Sequence, residues 1–262
     1  MAKPARLDAE LVRRGLAGSR AEAQSAIEQG KVMVRGITAT RAATLVSPAD
    51  PVMLAGPAAR FVSRGGDKLD GALARLDVEV AGRRWLDAGA STGGFTDRLL
   101  QGGAAAVAAA DVGYGQLHWS LRNDPRVAVL ERLNLRTLDP SELPWTPDAV
   151  AADLSFISLR LVLPALSAAA APDADFVLLV KPQFEVGRDA IGKGGVVRDP
   201  SLWVESMTGV VDAGAGAGLG LVDAVPSAVP GPAGNREFFL HLNRRGTRGV
   251  EALKAAAAEV AP

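Results

Sequence analysis

Cysteine is absent from the 262 residues, so disulfides, thiolate nucleophiles and cysteine-ligated metals are excluded. Histidine occurs only twice, at His118 and His241; no Cys/His ligand cluster exists, and no metal is expected. An excess of one charge is missing as well. The 29 Lys and Arg balance 29 Asp and Glu, so no global field draws the chain toward nucleic acid. No run reaches the ~18 apolar residues of a membrane helix, and Met-Ala-Lys-Pro-Ala-Arg at the start lacks an apolar signal core. The expectation is a cytoplasmic protein with no membrane contact. Lysine is the last scarcity, six against 23 arginines. Where one stands among carboxylates, a compact ammonium with an adjustable pKa is a reasonable suspicion.

The charge that is present is uneven. Residues 1–60 carry nine Lys or Arg against five Asp or Glu, which makes the remainder acidic. That split suggests a basic front module, residues 1–59, a joint over 60–66 whose glycines let the chain turn, and a body over 67–262. In the front module, Leu7 to Arg14 reads as a helix stopped by Gly15. Ser19-Arg20-Ala21-Glu22 spells a capping box that opens a helix running to Gly30. Lys31 to Gly36 alternates as a strand, and Val52-Met53-Leu54 forms another. Arg6, Arg13, Arg14, Arg20, Lys31 and Arg35 are left as a cationic rim suited to phosphates.

The body turns on Arg84 to Leu100, RWLDAGASTGGFTDRLL. A short apolar run ends in Asp87, breaks into a loop holding Gly89, Ser91, Gly93 and Gly94, and feeds a helix start. Open α/β sheets build nucleotide sites in this way, with free N–H groups at the helix start to receive the ligand. The spacing is not the dinucleotide fingerprint, because Ser91 stands where the second glycine belongs. Asp111 ends the next apolar run, where an acid accepts hydrogen bonds from a ribose diol. An adenosine-type ligand without a tightly held pyrophosphate follows, and S-adenosylmethionine suits the loop better than NAD. The same letters, Gly89 to Gly93, also spell the hydrolase elbow G-x-S-x-G, with Asp153 and His241 following in triad order. That reading is weak, because no strand of the body precedes the elbow.

Apolar runs alternate with helical ones down to Asp153 and Lys181, giving an α/β, largely parallel Rossmann-like sheet with polar residues at strand ends. Two late strands, Leu219–Val229 and Glu237–Leu242, suit an antiparallel edge. Lys68, Asp153, Lys181 and Glu237 stand out as two amines and two acids at element ends, against the plain alternative of structural salt bridges.

Five ordered motifs then carry a family likeness. They are Phe61 to Leu69 (FVSRGGDKL), Asp87 to Thr96 (DAGASTGGFT), Ala152 to Ile157 (ADLSFI), Lys181 to Glu185 (KPQFE) and Gly234 to Phe238 (GNREF). Together they resemble the TlyA family, haemolysin-like ribosomal RNA methyltransferases with an FtsJ-type catalytic domain. The front pattern resembles the αL RNA-binding motif of ribosomal proteins and pseudouridine synthases, with Arg35 where such modules often carry Asn. The resemblance implies a class I methyltransferase fold and 2′-O-methylation of cytidine in 16S and 23S ribosomal RNA, the RNAs of both subunits. It implies a catalytic tetrad at Lys68, Asp153, Lys181 and Glu237, with Lys181 held by both acids. S-adenosylmethionine would be held by Asp87, Gly89, Ser91, Gly93, Gly94, Phe95, Asp111, Asn134 and Asp153. RNA would meet Arg6, Arg14, Arg20, Lys31 and Arg35. A non-catalytic ribosome-assembly factor with a degenerate methyltransferase body is the alternative.

Overall fold

The computed structural model describes residues 4–54, 60–187, 190–192, 194–231 and 234–261. The chain divides into two compact units, Met1–Ala59 and Arg60–Pro262.

In the first unit, β1 (Ala5–Arg6), α1 (Leu7–Arg13), α2 (Arg20–Glu28), β2 (Val32–Val34), β3 (Ile37–Thr38), β4 (Leu45–Val46) and β5 (Val52–Leu54) follow in order. The two helices cover a core of Leu7, Leu11, Ala23, Ile27, Val32 and Val46. Gly15 ends α1 at φ +69°. The capping box is only half formed. The Ser19 hydroxyl accepts from the Glu22 N–H, but the Glu22 carboxylate reaches past Ser19 to the amide of Gly18 at 2.6 Å. Strands β2 and β3 are joined by Arg35 and Gly36, both at positive φ (+51° and +78°), as a tight primed hairpin turn requires. Asn suits the first of these positions. Arg35 is held there by a two-point contact to Asp50 at 2.6 and 2.9 Å.

The second unit runs α3 (Arg64–Leu76), β6 (Arg84–Ala88), α4 (Gly94–Gln101), β7 (Ala106–Asp111), α5 (Trp119–Arg122) and β8 (Val127–Glu131). It continues β9 (Ala149–Ala152), α6 (Leu163–Ala169), β10 (Asp175–Val180), α7 (Pro182–Glu185), α8 (Pro200–Gly216), β11 (Gly220–Pro226), β12 (Phe238–Asn243) and α9 (Val250–Ala258). Seven strands form one sheet in the order β11-β12-β10-β9-β6-β7-β8. The five strands from β10 to the edge strand β8 are parallel, and β12 is antiparallel to both β10 and β11. The two late strands form the expected antiparallel edge: β12 is the reversed strand, and the outer strand β11, antiparallel to it, runs in the common direction. Central strands such as Ala149-Val150-Ala151-Ala152 are apolar throughout because both faces are covered. The chain steps outward from β6 through β7 to β8, then crosses back to β9 on the other side of β6. That crossing makes the carboxyl ends of β6 and β9 a switch point, where open α/β sheets hold ligands.

The joint over 60–66 is not a free turn. Helix α3 starts at Arg64, so Gly65 and Gly66 lie in its first turn. A Cβ at Gly66 would run into the Phe61 ring. A Cβ at Gly94, opening α4, would lie 2.8 Å from the Gly66 nitrogen and 3.0 Å from the Gly65 Cα. These glycines serve close packing: two helix starts meet backbone to backbone only because neither carries a side chain there.

Candidate active site

The loop after β6 is built from close approaches. Gly89 holds φ +90°, and a Cβ on it would stand 2.5 Å from the carbonyl oxygen of Asp153, at the end of β9. Its amide and that of Ala90 both donate to the Ala110 carbonyl, at 2.8 and 3.0 Å. Ser91 follows in the left-handed region at φ +49°, and its N–H donates to Asp111 Oδ2 at 2.8 Å. Gly93, at φ +98°, lies where any side chain would strike Leu117 and Leu121. Helix α4 then begins. Asp87 caps it from beneath, Oδ2 accepting from both the Thr96 N–H (2.9 Å) and its hydroxyl (2.6 Å), while the Asp97 N–H donates to the Gly93 carbonyl. The earlier amides of the turn, Gly94 and Phe95, remain to meet a ligand.

Asp87 is fully buried. Burial pushes its carboxyl up to about 7; the Thr96 bonds oppose that shift, and Asp153 and Asp111 nearby add to it. Its Oδ1 has no hydrogen-bond partner among the described residues. An orphaned buried acceptor beneath open amides fits a ligand with a positive end. Asp111 accepts from Ser91 through one oxygen and from the Gly113 N–H through the other at 2.7 Å. Each oxygen keeps a lone pair for a diol. Asp111 lines a shallow pocket with Ala90, Ser91, Gly113, Gln116 and Glu131.

Two expected cofactor contacts take a different form. The Phe95 ring is in the core, 6.0 Å from the Phe239 ring centroid, so only its backbone amide faces the loop. Asn134 is exposed, and its Oδ1 caps a 3₁₀ turn over Leu135–Thr137 by accepting from the Arg136 N–H. Its amide nitrogen is the part left for a ligand. The hydrolase elbow fails on geometry. His241 bonds Asp175 at 2.7 Å at the amino end of β10, and pairs with Val177, four residues back from Lys181. At ~3.3 Å per residue that is roughly 13 Å from the edge that carries Ser91.

The four singled-out side chains come to one edge. Asp153 follows β9 and Lys181 follows β10, which is its parallel neighbour. Because β12 is reversed, its first residues lie at that same edge. Phe238 pairs with Val180, placing Glu237 opposite Lys181. Lys68 arrives from the second turn of α3. The charges resolve into two pairs. Lys181 Nζ lies 2.5 Å from Asp153 Oδ1, and Lys68 Nζ donates to Glu237 Oε2 at 2.5 Å. Lys181 is thus not held by both acids, as the resemblance implied. Glu237 pairs with Lys68, and the second partner of Lys181 is the hydroxyl of Ser155, accepting at 2.9 Å. The Lys68–Glu237 pair is almost wholly buried.

Sequence reasoning passed over the neighbours of these residues. Phe156 holds φ +65° and is 91% exposed, its ring centroid 5.3 Å from that of Phe184. Glu185 is buried, accepting from the Ser158 hydroxyl (2.5 Å) and the Leu159 N–H (2.8 Å), and burial raises its carboxyl. The signal available was proximity: each of these lies within five residues of Asp153 or Lys181.

In the first unit, Arg6, Arg13, Arg14, Arg20 and Arg35 are tied to acids. Asp8, wholly buried, accepts from both Arg6 and Arg20 at 3.0 Å, while both guanidinium groups stay half exposed. Arg13 and Arg14 share Glu10. Arg14 also donates to the carbonyls of Ser47, Pro48 and Asp50, so its donors are spent on the module's own loop rather than on a rim. Arg35 pairs with Asp50, and Lys31 is exposed.

Residues 61–244 match the family model of FtsJ-like methyltransferases, and residues 5–52 match the S4 domain. A Mycobacterium tuberculosis protein described as a 16S/23S rRNA (cytidine-2'-O)-methyltransferase, TlyA, is 54% identical over 96% of this chain and 94% of its own length. The chain belongs to the TlyA family of FtsJ-like methyltransferases. Another relative, a Bacillus subtilis putative rRNA methyltransferase, YqxC, is 43% identical over 92% of this chain and 86% of its own. A solved structure of a putative hemolysin from Streptococcus thermophilus superposes with a TM-score of 0.78 at 35% identity, covering 99% of this chain and 96% of that one. The site of this TlyA-family chain thus sits on a sheet whose fold extends to a putative S-adenosylmethionine-dependent methyltransferase from Listeria monocytogenes. That structure has a TM-score of 0.51 at 12% identity, over 68% of this chain and 97% of that one.

Proposed function

We propose that the chain methylates the 2′-hydroxyl of cytidine in the 16S and 23S RNA of both ribosomal subunits, in the cytoplasm, with S-adenosylmethionine as methyl donor. The carrying observation is the Lys181–Asp153 ion pair at 2.5 Å, set beside the buried Lys68–Glu237 pair at the edge where the Asp87–Gly94 loop opens. When bound, S-adenosylmethionine supplies an electrophilic sulfonium methyl. The amides of Gly94 and Phe95, Oδ1 of Asp87 and the spare lone pairs of Asp111 are the groups that would hold it.

A ribose hydroxyl is a poor nucleophile because its proton leaves reluctantly. As the oxygen takes the methyl its proton must go elsewhere: the Lys181 ammonium, oriented by Asp153 and Ser155, offers a hydrogen bond to the oxygen as negative charge builds on it, and the proton passes to the neighbouring Asp153 carboxylate or to water. Fixing that oxygen in line with the methyl contributes several kcal/mol of the ~7–11 available from orientation. The exposed ring of Phe156 on Phe184 suits stacking of an unpaired base beside the reacting sugar. The front unit contributes phosphate contacts through Arg6, Arg20, Lys31 and Arg35, of which Arg6 and Arg20 are pre-arranged on Asp8.

The test incubates the protein with methyl-labelled S-adenosylmethionine and each purified ribosomal subunit, then maps the modified nucleotide. A 2′-O-methylcytidine in both RNAs, abolished by Lys181→Ala with cofactor binding retained, is the expected outcome. Cofactor and RNA binding without transfer would instead establish the assembly-factor alternative.

A further inference from the structure

An ammonium has three N–H donors, and its stem of four methylenes lets it swing. In Lys181 the Asp153 carboxylate engages the ammonium at 2.5 Å and the Ser155 Oγ at 2.9 Å. Two anchors fix the direction of the third donor; with one, the group rotates about it. Asp153 alone is a poor guide here. Its short contact is an ion pair without good hydrogen-bond alignment, since Asp153 Oδ1 has no aligned donor among the described residues. The aligned bond is the one to Ser155.

Three residues beyond Ser155, its loop is clamped to the one that carries the lysine. Four residues past Lys181, the Glu185 carboxylate takes the Ser158 hydroxyl and the Leu159 N–H. Arg160 closes the clamp from outside, donating to the Glu185 carbonyl at 3.2 Å. The segment 153–158 is thus tied at one end to β9 and at the other to α7, with Ser155 midway. The Ser155 proton has no acceptor among the described residues, so its oxygen is free to serve as the lysine's acceptor.

We propose that Ser155 is a positioning residue for the methyl transfer: its hydroxyl aims the Lys181 ammonium at the ribose oxygen, and Glu185 holds Ser155 in place. The proposal rests on the reading of the site as a ribose 2′-O-methyltransferase. Removing the hydroxyl leaves Lys181, Asp153 and the cofactor loop in place but lets the ammonium wander. Ser155→Ala should therefore lower kcat by roughly 10- to 100-fold, the scale on which small misplacements at a reacting centre act. KM for RNA and the dissociation constant for S-adenosylmethionine should stay within about twofold, and Ser155→Thr, which keeps an oxygen at the same position, should recover most of the rate.

Single-turnover kinetics on whole ribosomal subunits with the full-length chain decide it, with Glu185→Gln as the second variant. Glu185→Gln keeps one carbonyl oxygen for Leu159 and should show a smaller loss of kcat with the same KM. Ser155→Ala at wild-type kcat overturns the proposal while leaving the methyltransferase reading intact. A loss that appears in KM instead, or that Ser155→Thr does not relieve, also overturns it, since Ser155 would then be an RNA contact or a packing residue. Absence of transfer by the wild-type chain defeats the underlying reading rather than this step.

Discussion

The buried pair between Lys68 and Glu237 offers the sharpest test of the physics. The two side chains are 8% and 0% exposed, and their atoms meet at 2.5 Å. Removing one partner strands the other in a low-dielectric site, which costs about 3–5 kcal/mol, whereas replacing both by uncharged groups of similar size removes the stranded charge. Lys68→Met is accordingly expected to destabilise the Arg60–Pro262 unit by about 3–5 kcal/mol. Lys68→Met combined with Glu237→Gln should cost less than the sum of the single changes, by about 1–3 kcal/mol of coupling. All four tryptophans, at 85, 119, 145 and 203, lie in that unit, so tryptophan fluorescence during urea unfolding reports it alone. At a slope of about 1–3 kcal/mol per molar urea, the single variant should lower the midpoint by more than about 1 M. The double variant should refold and bind cofactor yet stay inactive, which would separate the pair's part in the fold from its part in the chemistry. A single variant within about 0.5 kcal/mol of wild type, the range of ordinary surface changes, would refute the claim that the pair is desolvated and coupled.

Other consequences are equally direct. Gly89→Ala combines a left-handed φ with a Cβ at 2.5 Å from the Asp153 carbonyl; a loss of about 2–4 kcal/mol and of cofactor binding is expected, measured by urea unfolding and calorimetry. Asp87 holds its proton up to about 7 in the fold, whereas an unfolded carboxyl releases it near ~3.9. Its contribution to stability is therefore full below about 4 and is lost as pH rises toward 7, and Asp87→Asn should flatten that window of a stability–pH curve. A cationic cofactor favours the ionised form, so S-adenosylmethionine affinity should rise between pH 6 and 8 in the wild type and stay level in Asp87→Asn. Replacing the exposed Lys31 by alanine should weaken RNA binding without base preference and reduce the salt slope by about one, leaving cofactor affinity unchanged, whereas Arg6 and Arg20 cannot both be removed without stranding the buried Asp8.

What the sequence made legible were the local features. Strand ends at Asp87, Asp111, Asp153 and Lys181 follow from apolar runs that stop at a polar residue, and the sheet has all four where they were expected. Partnerships were not legible, because they depend on strand direction and register. Lys68 and Glu237 are 169 positions apart, and only the reversal of β12 brings the acid to the lysine's edge. The roles of Gly65 and Gly66 were misjudged for a related reason: a glycine pair reads as looseness until the second helix that touches it is known. The cationic rim was overcounted in the same way, since charge tallies do not show that Arg14 spends its donors on carbonyls of its own loop.

The contact of α3 and α4 across bare backbone has a mechanical consequence. A Cβ added to Gly94 would already lie 2.8 Å from the Gly66 nitrogen, so no side chain separates the two helix starts. The loop that opens α4 and the turn of α3 that carries Lys68 are thereby held at one separation, like two parts butted without a spacer.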